Sequence, residues 1–209
     1  MNQFPNIRFE TANLKKTFGR KTIFSGINFS LHNSDSLSIT GKNGSGKSTM
    51  IKILSNTLSH SSGEINLHIN NSHIQQNDYY KHIGLVSPYL NFYDEFSAYE
   101  ILEITARIRG IKNESIDSCL QEVGLFDFKK DLVRIFSSGM KQRLKLAFAL
   151  LHNPVILLLD EPTTNLDSEG IEIFSQIALK QKENGILIIA TNDKHEQSLC
   201  EKEINLKIS

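Results

Sequence analysis

Cysteine is nearly absent: Cys119 and Cys200 are the only two in 209 residues. Two thiols so far apart exclude a disulfide framework and zinc-finger spacing, and they fit a reducing compartment. Both read as buried or idle. Net charge is missing too, with 23 Lys plus Arg against 23 Asp plus Glu. No overall field therefore draws the chain onto nucleic acid or an anionic membrane, and no nucleic-acid partner is expected. The one basic cluster, Lys15, Lys16, Arg20 and Lys21, reads as a solvated face. No apolar run approaches the roughly 18 residues that cross a bilayer. The start MNQFPNIRFE lacks the basic and apolar stretches of a secretory signal, so the expectation is a cytoplasmic protein. Repeats, low-complexity tracts and long linkers are also absent. What remains is one domain, or one with a subdomain, long enough to bury a core without staples.

Three short aliphatic runs stand out. Leu37 to Thr40 leads into GKNGSGKST, Val155 to Leu159 into Asp160, and Ile186 to Ala190 into Thr191. Runs of this length between turn formers are what strands covered on both faces look like, as in a parallel sheet, and each is too short for a buried helix. After the first run, Met50, Ile51, Ile53, Leu54 and Leu58 recur at helical spacing until Gly63. Helical spacing returns between about Ser97 and Leu151, through Ile101, Leu102, Ile104 and Ile108, then Leu144, Ala147, Phe148 and Leu151. Near the N-terminus, Ile7, Phe9, Ile27, Phe29 and Leu31 alternate with period 2, which predicts antiparallel strands beside the parallel sheet.

GKNGSGKST, residues 41–49, matches G-x-x-x-x-G-K-[ST], a pattern that average residue usage produces by chance in about 1% of chains this long. Gly41, Gly44 and Gly46 let the backbone wrap so that N–H groups, with those of Lys42, Asn43, Ser45 and Thr49, line an anion nest at a helix N-terminus. Lys47 adds a charge for the β- and γ-phosphates, and the Ser48 hydroxyl is placed to ligate Mg²⁺. VILLLDEP delivers Asp160 and Glu161 to the carboxyl edge of the sheet, where open α/β folds bind ligands. Asp160 suits the magnesium shell and Glu161 suits activation of a water. In FSSGMKQR, the small residues Ser137, Ser138 and Gly139 open a helix whose first N–H groups are free for an anion. Ser137 equally suits a plain N-cap.

The order GKNGSGKST, FSSGMKQR, VILLLDEP, TTNLD resembles the nucleotide-binding domain of ABC transporters, with its Walker A, signature, Walker B and D-loop, over essentially the whole chain. The resemblance implies an α/β fold: a P-loop NTPase core with a parallel sheet, an N-terminal antiparallel β subdomain and an inserted helical subdomain. The chain 1–209 would be one ABC-type ATP-binding domain, with its core at about 1–87 and 138–209 and its helical part at about 88–137. Implied too are ATP and Mg²⁺, hydrolysis of ATP, and a head-to-tail partner that is a second copy or a homologous ATPase subunit. A separate transmembrane permease subunit would be driven from the cytoplasmic face of the cell membrane. In that arrangement Ser137 and Gly139 meet the partner's γ-phosphate, Asp167 lies at the dimer seam, and Phe18 stacks on adenine as the family's upstream aromatic does.

Two positions depart from the pattern. The family's Q-loop glutamine falls on Pro88, which has no side-chain ligand, with Ser87 and Asn91 as the nearest polar replacements. The histidine that reaches the γ-phosphate falls on Asn192, which donates a hydrogen bond but carries no proton near neutral pH; His195 is expected to point elsewhere. With Lys47, Ser48, Asp160 and Glu161 retained, the expectation is intact binding and slower hydrolysis. Two other readings compete: a cytosolic ABC-type ATPase without transport, and a nucleotide-gated module with very slow turnover.

Overall fold

Alternating burial makes the first two strands. In β1 (Ile7–Phe18), Ile7, Phe9 and Thr11 point inward, and β2 (Lys21–His32) pairs with it antiparallel, Phe9 opposite Leu31. The protein is described here from a computed structural model covering residues 5–112 and 114–207. β3 (Ser36–Thr40) leads into α1 (Lys47–Leu54). β4 (Ser62–Ile69) and β5 (Ser72–Ile74) complete a four-stranded antiparallel sheet in the order β2-β1-β4-β5. β6 (Ile83–Val86) precedes three helices, α2 (Ala98–Arg109), α3 (Glu114–Glu122) and α4 (Ser138–Leu150). β7 (Ile156–Asp160), α5 (Ser168–Asn184), β8 (Ile186–Ala190), α6 (Lys194–Ser198) and β9 (Lys202–Asn205) finish the fold.

The second sheet is parallel throughout, in the order β6-β7-β8-β3-β9. Every residue of β3, β7 and β8 is buried, which is why these strands read as unbroken aliphatic runs. Period 2 divides their side chains between two cores. Leu158, Ile186 and Ile188 pack with α1 and the antiparallel sheet, whereas Leu157, Leu159 and Leu187 pack with the helices. Burying each such side chain contributes roughly 1.5–3 kcal/mol.

Residues 88–137 hold α2, α3 and two short 3-10 turns. The start of α2 is set by a capping box, Ser97 accepting from the Glu100 N–H while the Glu100 carboxylate takes the Ser97 N–H. α4 packs on β6 as well as on α2 and α3, which ties the helical segment to the sheet.

Among the described residues the parallel sheet adds β6 and β9 to the three aliphatic runs; the sequence did not show them because β6 offers only four residues and the edge strand β9 reads KEIN, too polar for an aliphatic run. Lys16 is not on a solvated face: it is 8% exposed, and its ammonium donates to Ser59 O at 2.6 Å. Cys119 is buried and Cys200 half-buried, and burial pushes both thiols up to about 12. At neutral pH neither is a thiolate, so both are idle as expected.

Candidate functional site

The loop from β3 to α1 is bent by its glycines. Gly41, Gly44 and Gly46 have φ of 139°, 81° and 105°, a region that L side chains rarely adopt. Space excludes side chains as well: a Cβ on Gly46 would lie 2.4 Å from Ile23 Cγ2, and one on Gly41 2.4 Å from Leu206 O. Gly46 stands at the N-cap of α1, with no side-chain cap and no acidic residue in the first turn. The positive end of the helix therefore stays open to an anion. Lys47 is 6% exposed, and its ammonium donates to Gly41 O at 3.0 Å.

Asp160 ends β7 beside this loop. It is 1% exposed, and neither carboxylate oxygen has a hydrogen-bond partner among the described residues. Burial pushes its pKa above the ordinary carboxylate value, and the neighbouring Glu161 adds to this. The Ser48 hydroxyl, near but short of a full hydrogen bond, pulls it down, as do Lys47 and Lys52. A buried carboxylate with no partner is costly, and an alcohol plus a carboxylate are the hard oxygen donors that Mg²⁺ takes while keeping most of its waters. The residues thus fit a magnesium site. Glu161 follows at φ 49°, its N–H bonded to Ala190 O at 2.9 Å. Lys47, Ser48, Thr49 and Glu161 share one open cleft of about 490 Å³, with Asn43, Pro88 and Tyr89 at its walls.

Sheet order settles the exit of β8. β8 lies between β3 and β7, with Ala190 level with Ile39 on one side and Asp160 on the other. Its exit therefore emerges between the phosphate loop and the carboxylates. Thr191 N–H bonds Ile39 O at 3.0 Å, and Asp193 caps α6 through the N–H groups of His195 and Glu196. Asn192 is held in this turn with its amide against Asn43, Gly41 and Lys47. In one orientation Nδ2 meets Asn43 Oδ1 at 2.8 Å. In the other, which satisfies both ends of the amide, its oxygen accepts from Lys47 Nζ at 3.0 Å and its nitrogen donates to Gly41 O. His195 is exposed and makes no part of the cleft.

Other expected residues stand apart within the single chain. Ser137 caps α4, accepting from Met140 N–H at 3.1 Å, and Ser138 is exposed beside it. A Cβ on Gly139 would approach Asn165 O to 3.1 Å. Asp167 caps α5, accepting from Gly170 N–H at 2.9 Å. None of these lines the cleft of its own chain. Phe18 is half exposed near the β1–β2 turn with Lys16 Nζ 4.5 Å above its ring, and Ile23 takes the cleft wall in its place.

Four residues were missed from sequence. Tyr89 lines the cleft next to Pro88 and stacks on Lys52 Nζ at 3.9 Å; its only signal was adjacency to the proline. Gln142, Thr163 and Glu196 form hydrogen bonds around the turn after Glu161. Gln142 could have been found, since Gln142, Leu146 and Ala149 repeat at i, i+4, i+7 on the buried face of α4.

The sequence model described as ABC transporter matches residues 24–164. A lantibiotic transport ATP-binding protein of Streptococcus pyogenes is 35% identical over 180 residues, 86% of this chain and 77% of that protein. A bacitracin transport ATP-binding protein of Bacillus licheniformis is 38% identical over 185 residues, 88% of this chain and 60% of its own length. Among solved structures, a dimeric bacterial ABC transporter cassette superposes with a TM-score of 0.84 at 26% identity, covering 95% of this chain and 94% of that one. The same cassette as a dimer in a post-hydrolysis state bound to ADP and Pi gives a TM-score of 0.83, also at 26% identity and with the same coverage. The chain, with its phosphate loop, paired carboxylates and separate capped signature helix in this one fold, belongs to the ABC transporter family as an ATP-binding, ATP-hydrolysing subunit.

Proposed function

We propose that this subunit pairs head to tail with a second copy or a homologous ATPase subunit, and that the pair drives a separate transmembrane permease from the cytoplasmic face of the cell membrane. The observation that carries this reading is the separation of Ser137, Ser138, Gly139 and Asp167 from the Lys47 cleft within one chain. A two-fold axis that faces each signature helix to the other chain's cleft completes two sites at once.

In each site the loop amides of residues 41–49 and the Lys47 ammonium hold the β- and γ-phosphates of ATP. Ser48 and Asp160 hold Mg²⁺, which neutralises charge on the phosphate oxygens when bound. Glu161 accepts the proton of the attacking water. Asn192, already beside Lys47 Nζ, donates its amide to the γ-phosphate. Pro88 lines the cleft but offers it no ligand. Phe18, half exposed at the end of β1, is offered to the adenine ring.

The insert, about 88–137, exposes Tyr93, Ile104, Ile108 and Ile135. Large apolar side chains left in water on one segment mark an interaction surface, and here we assign it to the permease. No helix among the described residues is long and apolar enough to cross a membrane. The relatives' roles in lantibiotic and bacitracin transport make peptide antibiotics the first cargo class to assay. Isolation of the tagged subunit from its native cells tests the reading: a multi-span membrane protein should come with it. Recovery of only a soluble complex would favour the non-transport alternative.

Asn192 gives a sharper check. Losing a hydrogen bond to a charged group costs about 1.5–3 kcal/mol, so Asn192→Ala lowers kcat by roughly 10- to 100-fold, whereas Asn192→His turns over at least as fast as the parent. Equal steady-state rates in all three proteins would remove Asn192 from the site.

A further inference from the structure

The turn that follows Glu161 is gripped from two sides by buried side chains that never reach the cleft. On one side Gln142, 7% exposed and one turn into α4, donates Nε2 to Pro162 O at 2.8 Å. On the other, Glu196 in α6 is 1% exposed, and its Oε1 accepts both the Thr163 N–H, at 2.9 Å, and the Thr163 hydroxyl. Its second oxygen has no partner among the described residues. Burying a carboxyl with one oxygen unpaired is unfavourable, so a side chain kept there answers to some demand other than packing.

That demand is visible at Glu161. Its φ of 49° is in the left-handed region, and a non-glycine residue stays there only where its surroundings over-determine it. The N–H bond to Ala190 O fixes the front of the residue. Among the described residues, nothing on Glu161 itself fixes the chain behind it except the 3.3 Å contact of Thr164 N–H with its carbonyl. Gln142 and Glu196 supply the missing restraint at Pro162 and Thr163.

We infer that Gln142 and Glu196 are positioning residues for the reaction, a two-sided clamp on residues 162–163 that holds the Glu161 carboxylate in its working place. The proposal rests on Glu161 being the base. The clamp also joins three parts of the site. Gln142 is on the helix capped by Ser137, and Glu196 is on the short helix capped by Asp193, next to Asn192. A shift of the signature helix against a partner would thus reach Glu161 through Gln142, and a shift of the Asn192 turn would reach it through Glu196.

Steady-state kinetics of Glu196→Gln, Glu196→Leu and Gln142→Met, with melting curves and MgATP affinity measured alongside, test the clamp. A glutamine at 196 still accepts from Thr163, so Glu196→Gln should keep kcat within about threefold. Loss of the acceptor or donor misplaces the base, and misplacements near 1 Å cost about 10²-fold. Glu196→Leu and Gln142→Met should therefore lose roughly 10- to 100-fold in kcat with MgATP affinity within about threefold. If Glu196→Leu does not fold, Gln142→Met carries the same test. The clamp is overturned if the folded variants keep parental kcat, if MgATP affinity falls as much as kcat, or if Glu196→Gln is as slow as Glu196→Leu. A double variant separates the clamp from the reading beneath it. In a Glu161→Gln background, Glu196→Leu should cost less than about twofold more, and a multiplied loss overturns the clamp. Unchanged turnover in Glu161→Gln alone would instead remove Glu161 as the base.

Discussion

Glu161→Gln lowers ATP turnover by about 10²- to 10⁴-fold while MgATP still binds, and the variant accumulates as an ATP-bound dimer. Glutamine has the size and hydrogen-bonding reach of glutamate but cannot take a proton from water. General-base assistance of this kind is worth about 10² to 10⁴ in rate, or roughly 3–5 kcal/mol of barrier. In the proposed site the binding groups are elsewhere: Lys47 and the loop glycines would hold the phosphates, and Asp160 with Ser48 would hold the cation. Substitution at 161 leaves all of these in place, and the backbone at φ 49° is the same for either residue. The dimer then closes on ATP and cannot be released by hydrolysis. Phosphate release and size-exclusion chromatography with MgATP are the measurements. Turnover within threefold of the parent would displace Glu161 from the role of base.

Lys47→Ala abolishes turnover by removing the nucleotide. The ammonium is 6% exposed at the start of α1 and already bonded to Gly41 O. Truncating one partner of a buried charge pair costs about 2–5 kcal/mol, roughly 30- to 4,000-fold in Kd. The fold should tolerate the change, because Met50, Ile51, Ile53 and Leu54 anchor α1 in the core independently. Titration with a fluorescent ATP analogue reads the effect, with circular dichroism as the control for folding. A Kd within threefold of the parent would mean that the loop amides bind the phosphates without Lys47.

The two variants fail differently, and that difference is informative. Lys47→Ala loses dimer and turnover together, while Glu161→Gln gains dimer as it loses turnover. Asn192→Ala belongs between them, since its amide touches Lys47 without replacing its charge.

Much of this protein is legible in its sequence, and the reason is locality. The phosphate loop is nine consecutive residues whose glycines need φ values that a sequence can announce. β3, β7 and β8 announced themselves as aliphatic runs because both their faces are covered, one by helices and the other by α1 and the antiparallel sheet. Strands lacking that cover stayed hidden: β9 lies at an edge, and KEIN carries no signal of its own. Lys16 misled because a lysine beside other basic residues reads as solvated, whereas its stem is buried and its ammonium finds Ser59 O. Glu196 stayed silent because a lone glutamate after a helix cap is ordinary in sequence, and only its burial against Thr163 distinguishes it.

By itself, then, the sequence determined the phosphate-loop motif and the paired carboxylates that we propose as the site, since each group is set by its immediate neighbours. It also put an amide, Asn192, where the resemblance leads one to expect an imidazole. Only the tertiary structure decided that this amide stands beside the phosphate loop. Asn192 and Asn43 are 149 residues apart in the chain, and they meet because β8 inserts between β3 and β7. That order follows from hydrogen-bonded pairing and side-chain packing between distant segments, with neighbouring strands about 4.8 Å apart, and no local pattern of residues encodes it.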